Sequence, residues 1–555
     1  MAAENGKLTR EVLQSLQGAT VRLDPEFEVC QVCGRRLRVY KTQTRGIVTL
    51  AYGSLQAQET VLCCPEGCLW LDRDRPVRYY RSQSLGKLVG PRCTYGFDVV
   101  AKVGVLRFLE CRQRKEIQAE LERSHGLSIP EGTIQELVVR FVEAICALHD
   151  AKVPVLRKSL EAQGGYVLHV DGTCEEGSHV HFACLAAPDP MVLWSEKISS
   201  ENAFEIRRVL AEVDQRFGRP AASVEDLSPA IRNAIREQWP GLPIFYCHWH
   251  FLADVGRDLL TSHYKRLKAL LKSSKIRLRL RQLLGAVNKE LGEKRQEARW
   301  IFQHLEDPKL FEGQDRSLQA TAVAGAIAEW ILSAPAEGRG RGFPFDLQHL
   351  SFYQRSSQAL DILDKGVLHK LTGHLPRGER LLFRLRGILH TLLTSTDLSE
   401  VARETEEANA LFQRLRGTLR LAAKDSGHGL NEHSCCQTPE EVREVELGLE
   451  ALREELRKEQ RSDPPLPRSK YLKVVIKHLD KYWDGLFGHH LALKDQERRH
   501  LMVQRTNNIS ERFFRRVKRF GRRTSGKKKL IREVNALPSH ALLVFNLKSP
   551  VISDN

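Results

Sequence analysis

The amino-acid sequence predicts a multidomain protein of mixed α/β class, on three observations. Cysteines cluster near the N-terminus, between residues 25 and 80. Strand-like apolar runs and helix-like patterns alternate between residues 166 and 255, which is typical of an α/β core. A long, charged, helical stretch over residues 256–469 precedes the last segment, 470–540. The expected order is therefore a β module, a helical domain, and an α/β core that a large all-α insertion interrupts.

Composition limits the class of protein before any motif is considered. The 555 residues carry a formal net charge of +17, and the pI is near 9.3. Such a basic chain favours a polyanionic partner, with nucleic acid the first candidate. We see no apolar run long enough for a membrane span and no secretion signal at the N-terminus, so we expect a cytoplasmic protein, nucleoid-associated if bacterial.

The N-terminal module, residues 25–80, contains two cysteine-rich turns on either side of a β-rich interval. Each turn can supply two thiolates to one tetrahedral zinc ion, which would then be structural. The second turn holds three cysteines, so either Cys63 or Cys64 can complete the set; a small β module with buried free thiols is the alternative. The ligands that we predict are Cys30, Cys33, Cys64 and Cys68.

Residues 91–165 are predicted to be helical and to bind DNA. Apolar stripes indicate helices over Phe97–Leu109, Arg114–Arg123 and Thr133–Leu148, and a glycine-containing turn separates the last two. Pro130 lies just inside the expected start of the third helix. Two short helices around such a turn resemble a helix-turn-helix, whose second helix enters a major groove. The alternative is an ordinary three-helix bundle.

Residues 166–255 form the first part of the predicted core. The strands lie at Tyr166–Val170, His179–Leu185 and Met191–Ile198, followed by a short strand ending near Asp226 and a fifth at Pro243–Tyr246. Helices are expected over Glu201–Phe217 and from Ser228-Pro229 through Trp239. The order β-β-β-α-β-α-β is the ribonuclease-H-like topology. The helical insertion that follows holds His428, His433, Cys435 and Cys436 at irregular spacing, which favours an ordinary polar loop over a second metal site.

The final segment, 470–540, completes the predicted core. A helix is expected to begin at Thr506-Asn507-Asn508, with Glu511 in its first turn and an apolar stripe on one face. The remaining positions are strongly basic and suited to DNA phosphates. The residues that we expect to contact DNA are Arg512, Arg515, Arg516, Lys518, Arg519, Arg522 and Arg523.

Three carboxylates from distant segments are candidates for one catalytic site. Asp171 follows the first strand, Asp226 follows the fourth, and Glu511 begins the late helix. Phosphodiester cleavage by two Mg²⁺ or Mn²⁺ ions requires such oxygen ligands. Each acid also has an ordinary explanation. Asp171 could be a turn residue, and Glu511 could only cap its helix. For Asp226, the adjacent Glu225 is an equally acidic candidate. Their order along the predicted topology favours the catalytic interpretation.

These residues resemble a known family. Val170–Thr173, the helix start after Asp226, the CHWH stretch at 247–250 and TNNISERFFRRVKR at 506–519 are similar to DDE transposases of the Mutator-like kind and related bacterial insertion-sequence families. The resemblance implies that Asp171, Asp226 and Glu511 are the catalytic triad. Cys247 and His250 match the Cys-x-x-His signature of that family. Because soft thiolate is a poor ligand for Mg²⁺, we expect the pair to support the site without ligating its metal ions. A buried free cysteine beside a core histidine is the alternative.

The resemblance implies a DNA transposase that binds the terminal inverted repeats of its element as a homo-oligomer. It would cleave a strand with Mg²⁺ or Mn²⁺ and join the freed 3′ hydroxyl to target DNA. A transposase-derived regulator that binds DNA without cleavage is the second candidate. A structure-specific nuclease of the same core topology is the third.

Overall fold

A computed structural model of the protein describes residues 18–72, 75–187, 190–292, 316–334, 342–368, 377–421, 438–487, 490–492 and 500–548. The chain forms two compact units. The first contains Met1–Ile244 and Asn508–Asn555, and the second contains Phe245–Asn507. Within the described ranges, no helix combines the length and apolar character that crossing a membrane would require. The expectation of a multidomain, mixed α/β protein is confirmed.

The N-terminal module is built on a long antiparallel hairpin. Its two strands pair from Arg38 with Cys63 to Thr49 with Gly53, and the sheet order is β1-β3-β2, with β6 pairing β3. A second small sheet joins β4 to β5. The apolar face of the hairpin packs against the first helix, α1, through Ile47, Ala57 and Leu85. The bounds are β1 Thr20–Leu23, β2 Arg38–Thr49, β3 Gly53–Cys63, β4 Trp70–Asp72, β5 Arg75–Val77, β6 Tyr79–Tyr80 and α1 Gln83–Leu88.

The helical region differs from the prediction in the length of its third helix. Helix α2 covers Phe97–Gly104 and continues as a π-helical turn over Val105–Leu109, and α3 covers Arg114–His125. Helix α4 runs for 32 residues, Glu131–Ala162, so the expectation of two short helices around the turn is wrong. Pro130 is its N-cap rather than its first helical residue. Buried side chains spaced from Ile134 to Leu160 hold α4 against its neighbours along its whole length.

The core of the first unit is a five-stranded sheet of order β11-β10-β7-β8-β9. Strands β7, β8 and β9 are antiparallel neighbours, and β10 pairs with β7 in parallel. The predicted succession of strands and helices is confirmed element by element. The bounds are β7 Val167–Thr173, β8 Val180–Ala187, β9 Met191–Ile198, α5 Ala203–Phe217, β10 Ala222–Glu225, α6 Pro229–Gln238 and β11 Ile244–Tyr246.

The end of the chain returns to this sheet. Helix α15, Asn508–Ser525, packs against β7, and the 3₁₀ segment Ala541–Lys548 packs against β9. The Asn546 side chain accepts a hydrogen bond from Val192 N and donates one to Val192 O, both at 2.8 Å. His181 Nε2 makes a 2.8 Å hydrogen bond with the carbonyl oxygen of Val534 in the short helix α16, Ile531–Ala536. Residues more than 340 positions apart thus complete one unit.

The second unit is predominantly helical in its described part. Helices α7 and α12 pack together, as do α9 and α11, and α13 and α14. The two-stranded sheet of β12, His490–Ala492, and β13, His500–Met502, precedes α15. His428, His433, Cys435 and Cys436 lie outside the described residues. The helices are α7 His248–Ser273, α8 Ile276–Leu291, α9 Arg316–Ser333, α10 Gln348–Asp361, α11 Arg377–Leu393, α12 Thr396–Thr418, α13 Pro439–Arg461 and α14 Arg468–Tyr482.

Candidate metal and catalytic sites

The N-terminal module brings four cysteines together. The sulfur atoms of Cys30, Cys33, Cys64 and Cys68 all lie within 4.8 Å of one another. Cys63 is the last residue of β3 and pairs with Arg38 and Tyr79, and the side chains of adjacent strand residues point to opposite faces. The ambiguity in the second cysteine-rich turn is therefore resolved in favour of Cys64.

The chemistry of this set fits a tetrahedral zinc ion, because four thiolates are the donors of one common structural zinc site. The Tyr80 hydroxyl donates to Cys30 Sγ at 3.5 Å, and this hydrogen bond lowers the pKa of the Cys30 thiol to about 6. Hydrogen bonds with Cys33 and Cys64 raise the pKa of Cys68 to about 12. The thiols therefore hydrogen-bond to one another at close range while some of them keep their protons, and a divalent cation that binds the four sulfur atoms would displace those protons.

Asp171 and Asp226 lie at equivalent positions on neighbouring strands. Ala222 pairs with Val167 and Val224 with His169 in the parallel ladder of β10 and β7. Extending that register by two residues places Asp226 beside Asp171. Residues paired in a parallel ladder point their side chains to the same face of the sheet. Asp226 directly follows β10, whereas Asp171 lies inside β7, which extends to Thr173, so the expectation that Asp171 follows its strand is wrong. Both residues lie near the carboxyl ends of the two central strands and are half-buried.

Glu225, the other acid at this position, has a different environment. Its side chain is buried and accepts a hydrogen bond from Arg232 Nε at 2.8 Å, across the first turns of α6. Burial raises the pKa of Glu225 to about 7, although the Arg232 charge opposes the shift. The strand alternation and this ion pair direct Glu225 away from the face that carries Asp226. Asp226 is therefore the better candidate for a metal ligand.

Glu511 reaches the same sheet on a helix. It is half-buried in the first turn of α15, and α15 packs against β7, the strand of Asp171. Ile509, Phe513 and Val517 form the buried stripe of this helix, as the sequence predicts. Among the described residues, Asp171, Asp226 and Glu511 are not all within 4.8 Å of one another, unlike the four cysteines. Their convergence as ligands of common metal ions stays a prediction.

The structure adds Glu201 to the carboxylates of this edge. A Cβ atom on Gly172 would lie 2.1 Å from Glu201 Oε1, so the Glu201 carboxylate packs directly on the backbone beside Asp171. Burial, and secondly the charge of Asp226, raise the pKa of Glu201. Sequence reasoning missed this residue, since an acid just before a helix start is usually a solvated capping residue. The one signal in the sequence is Gly172 itself, because a glycine directly after Asp171 leaves room for another group to pack on the backbone.

Cys247 and His250 lie at the start of α7 in the second unit. Cys247 is buried at the N-cap, and its sulfur accepts a hydrogen bond from Asn507 N at 3.2 Å. The buried Arg505 guanidinium donates to His248 Nδ1 at 3.0 Å, and His248 N donates to Arg505 O at 2.9 Å. The CHWH and TNN motifs are therefore held together. A supporting role of Cys247 and His250 in catalysis stays a prediction.

The predicted DNA-contacting residues share the exposed face of α15. Phe513, Val517 and Phe520 are buried on the opposite side, and Phe520 stacks on Phe108 with ring centroids 5.4 Å apart. Lys518 is half-buried, and the others are exposed: Arg512, Arg515, Arg516, Arg519, Arg522 and Arg523. A helix anchored by aromatic side chains thus presents a continuous positive surface.

No protein-family model matches this chain, and no curated protein matches it at a significant level.

Proposed function

We propose that this protein is a DNA transposase that cleaves and joins DNA strands with divalent metal ions. The observation that supports the proposal most directly is the alignment of Asp171 with Asp226 on parallel strands, with the helix of Glu511 packed against the same sheet. Oxygen ligands on rigid elements suit Mg²⁺ or Mn²⁺. The exposed basic face of α15, the helix that packs against β7, would carry the DNA backbone.

The donor set fits hard divalent cations. The carboxylates of Asp171, Asp226 and Glu201 lie near one sheet edge; burial, and secondly the charge of Asp226, raise the pKa of Glu201, and a bound cation would oppose both effects. Bound there, such ions would activate a water or a 3′ hydroxyl and stabilise the leaving oxygen. Asp171 and Asp226 would hold the ions on the strand side and Glu511 on the helix side. The basic face of α15 would orient the phosphodiester.

A DNA-binding regulator without cleavage activity is the second candidate. Asp171, Asp226 and Glu511 do not lie within 4.8 Å of one another as a set, so one ion could not contact all three without a rearrangement. The two candidates share the zinc module and the basic surfaces. They differ in strand cleavage alone.

The test is a nicking assay with supercoiled plasmid that carries the DNA flanking the coding region, with Mg²⁺ or Mn²⁺. Asp171→Asn, Asp226→Asn and Glu511→Gln should each lower cleavage more than about 100-fold, since even residues that merely orient a metal ligand contribute 10–100-fold. DNA affinity should be preserved, because the basic surface is intact. Glu176→Gln, an exposed acid in the turn after β7, is the control and should cleave normally. Cleavage by the triple variant Asp171→Asn/Asp226→Asn/Glu511→Gln would reject the proposal, and no cleavage by the wild-type protein would favour the regulator.

A further inference from the structure

A cavity of about 560 Å³ lies in the first unit, where the helical region meets the C-terminal segment. One wall is formed by the π-helical turn after α2, the first turn of α3 and the start of α4. The other wall is formed by the last residues of α15 and the chain through α16 to Pro538. We call this space the junction cavity. None of its lining residues belongs to the carboxylate edge or the cysteine site described above.

The lining is strongly basic. Two acids, Glu131 and Glu533, and five basic residues line the cavity. Lys527 Nζ forms an ion pair with Glu533 at 3.5 Å. Within the part of the chain that the structure describes, the other four basic residues form no ion pair. Clustered cations without counter-charges are unfavourable and are relieved by an anionic ligand. The five basic residues are Arg107, Arg114, Lys115, Lys527 and Arg532.

Arg107 is held in place for such a ligand. Its guanidinium donates to the carbonyl oxygen of Arg112 at 3.0 Å and lies over the Phe520 ring, 5.4 Å from the ring centroid. Burial, and secondly the nearby positive charge of Arg114, lower the pKa of Arg107. Two guanidinium groups therefore lie near each other in a partly desolvated space. Guanidinium groups recognise phosphate oxygens with paired, charge-assisted hydrogen bonds.

We propose that the junction cavity binds consecutive phosphates of a DNA backbone. The inference rests on the proposed function, because it assigns a second contact region to the same DNA. Its volume exceeds the space that one inorganic phosphate needs. Thr524 and Ser525, at the end of α15, line the cavity, and Arg522 and Arg523 are exposed just before them. The basic face of α15 thus continues into the cavity, as a track for a polyanion requires.

The test compares two triple variants of the full chain. Arg114→Gln/Lys115→Gln/Arg532→Gln removes three exposed charges from the cavity. Lys41→Gln/Lys87→Gln/Lys158→Gln removes three exposed charges from elsewhere in the same unit and is the matched control. The probe is a fluorescein-labelled DNA duplex of about 30 base pairs, roughly three helical turns. Anisotropy titrations at several salt concentrations give the slope of log affinity against log salt.

The cavity variant should lower this slope by about 2.7 units, because each phosphate contact on duplex DNA contributes about 0.9. Its affinity at about 0.1 M salt should fall at least tenfold, while the control variant should bind like the wild-type protein. If the triple variant is poorly folded by circular dichroism, the single variants Lys115→Gln and Arg532→Gln replace it, with a slope change of about 0.9 each. Arg114→Lys, which keeps the charge, should retain the wild-type slope.

Equal slopes for the cavity and control variants would overturn the proposal. Tight binding of a poly-glutamate peptide that the cavity variant loses, with DNA binding unchanged, would also overturn it and would assign the cavity to an acidic protein partner. The outcome is independent of catalysis. If the protein binds DNA through this cavity but never cleaves it, the transposase proposal is rejected and the cavity proposal stands. If the protein cleaves normally but the cavity variant has an unchanged slope, the cavity proposal is rejected and the transposase proposal stands.

Discussion

Burial separates the roles of two adjacent acids at the residue scale. Glu225 and Asp226 have the same charge, but strand geometry turns one side chain inward and leaves the other at the sheet edge. Glu225 is fully buried against Arg232, and burial raises its pKa to about 7. Its carboxylate is therefore costly to ionise in the folded protein. Such a group stabilises the fold less as the pH rises.

The stability of the protein should depend on pH through Glu225. The folded pKa, about 7, is above the ordinary value of 4.5, so the folded state is favoured at low pH and loses stability as the pH rises toward 7. From pH 5 to pH 8, Glu225→Gln should therefore gain about 3 kcal/mol relative to the wild-type protein, as 1.36 kcal/mol per pKa unit implies. Arg232, Arg236 and Asp226 are the charges that modulate this shift. Denaturation midpoints across this range provide the measurement, and Glu176→Gln should show no such trend.

Zinc binding should distinguish two neighbouring cysteines. Cys64→Ser removes one of the four clustered thiols and should release most of the bound metal, since a structural zinc site needs four donors. Cys63→Ser changes a thiol of the hairpin strand and should retain about one zinc per chain. Metal analysis by mass spectrometry, after dialysis against a weak chelator, measures both. The opposite result would mean that the second turn binds through Cys63.

At the scale of elements, the sequence predicts the sheet better than the helices. Strands β7 to β9 are apolar runs separated by turn residues, so their existence and order follow from local pattern. The length of α4 does not, because Pro154 inside it and the charged positions near its end suggest a boundary that tertiary packing overrides. Glu201 is invisible for a similar reason. Its carboxylate is defined by a contact with Gly172, which no local pattern encodes.

The basic face of α15 should make a large contribution to DNA affinity. Replacing Arg515, Arg516, Lys518 and Arg519 together with Gln should lower the slope of log affinity against log salt by about 3.6 units, if each residue contacts one phosphate. The matched control replaces four exposed basic residues of the second unit: Lys268, Lys272, Arg279 and Arg281. An unchanged slope in the α15 variant would identify this face as an ordinary solvated surface.

At the scale of the whole molecule, the chain completes its first unit only after the second has been synthesised. The helix of Glu511 belongs to the same unit as Asp171 and Asp226, although Asp226 and Glu511 are 285 positions apart in the sequence. The sequence predicts that a helical segment interrupts the first unit, because the composition and the spacing of apolar residues change along the chain. It does not give the final placement of α15, which depends on contacts such as Phe108 with Phe520. Those contacts join segments more than 400 residues apart.

The second unit should fold as an independent, zinc-free domain. Residues 245–507 form a compact unit whose described helices bury their own apolar faces, for example Leu259 of α7 and Leu411 and Phe412 of α12. A chain with its own core can fold without the rest of the protein. Produced separately, this fragment should show a helical circular dichroism spectrum, unfold cooperatively and contain no stoichiometric zinc, while the full chain should contain about one zinc. Zinc in the fragment at a ratio near one would contradict the assignment of the metal to Cys30, Cys33, Cys64 and Cys68. It would direct attention to Cys247 and His250, or to the cysteine and histidine residues between 428 and 436.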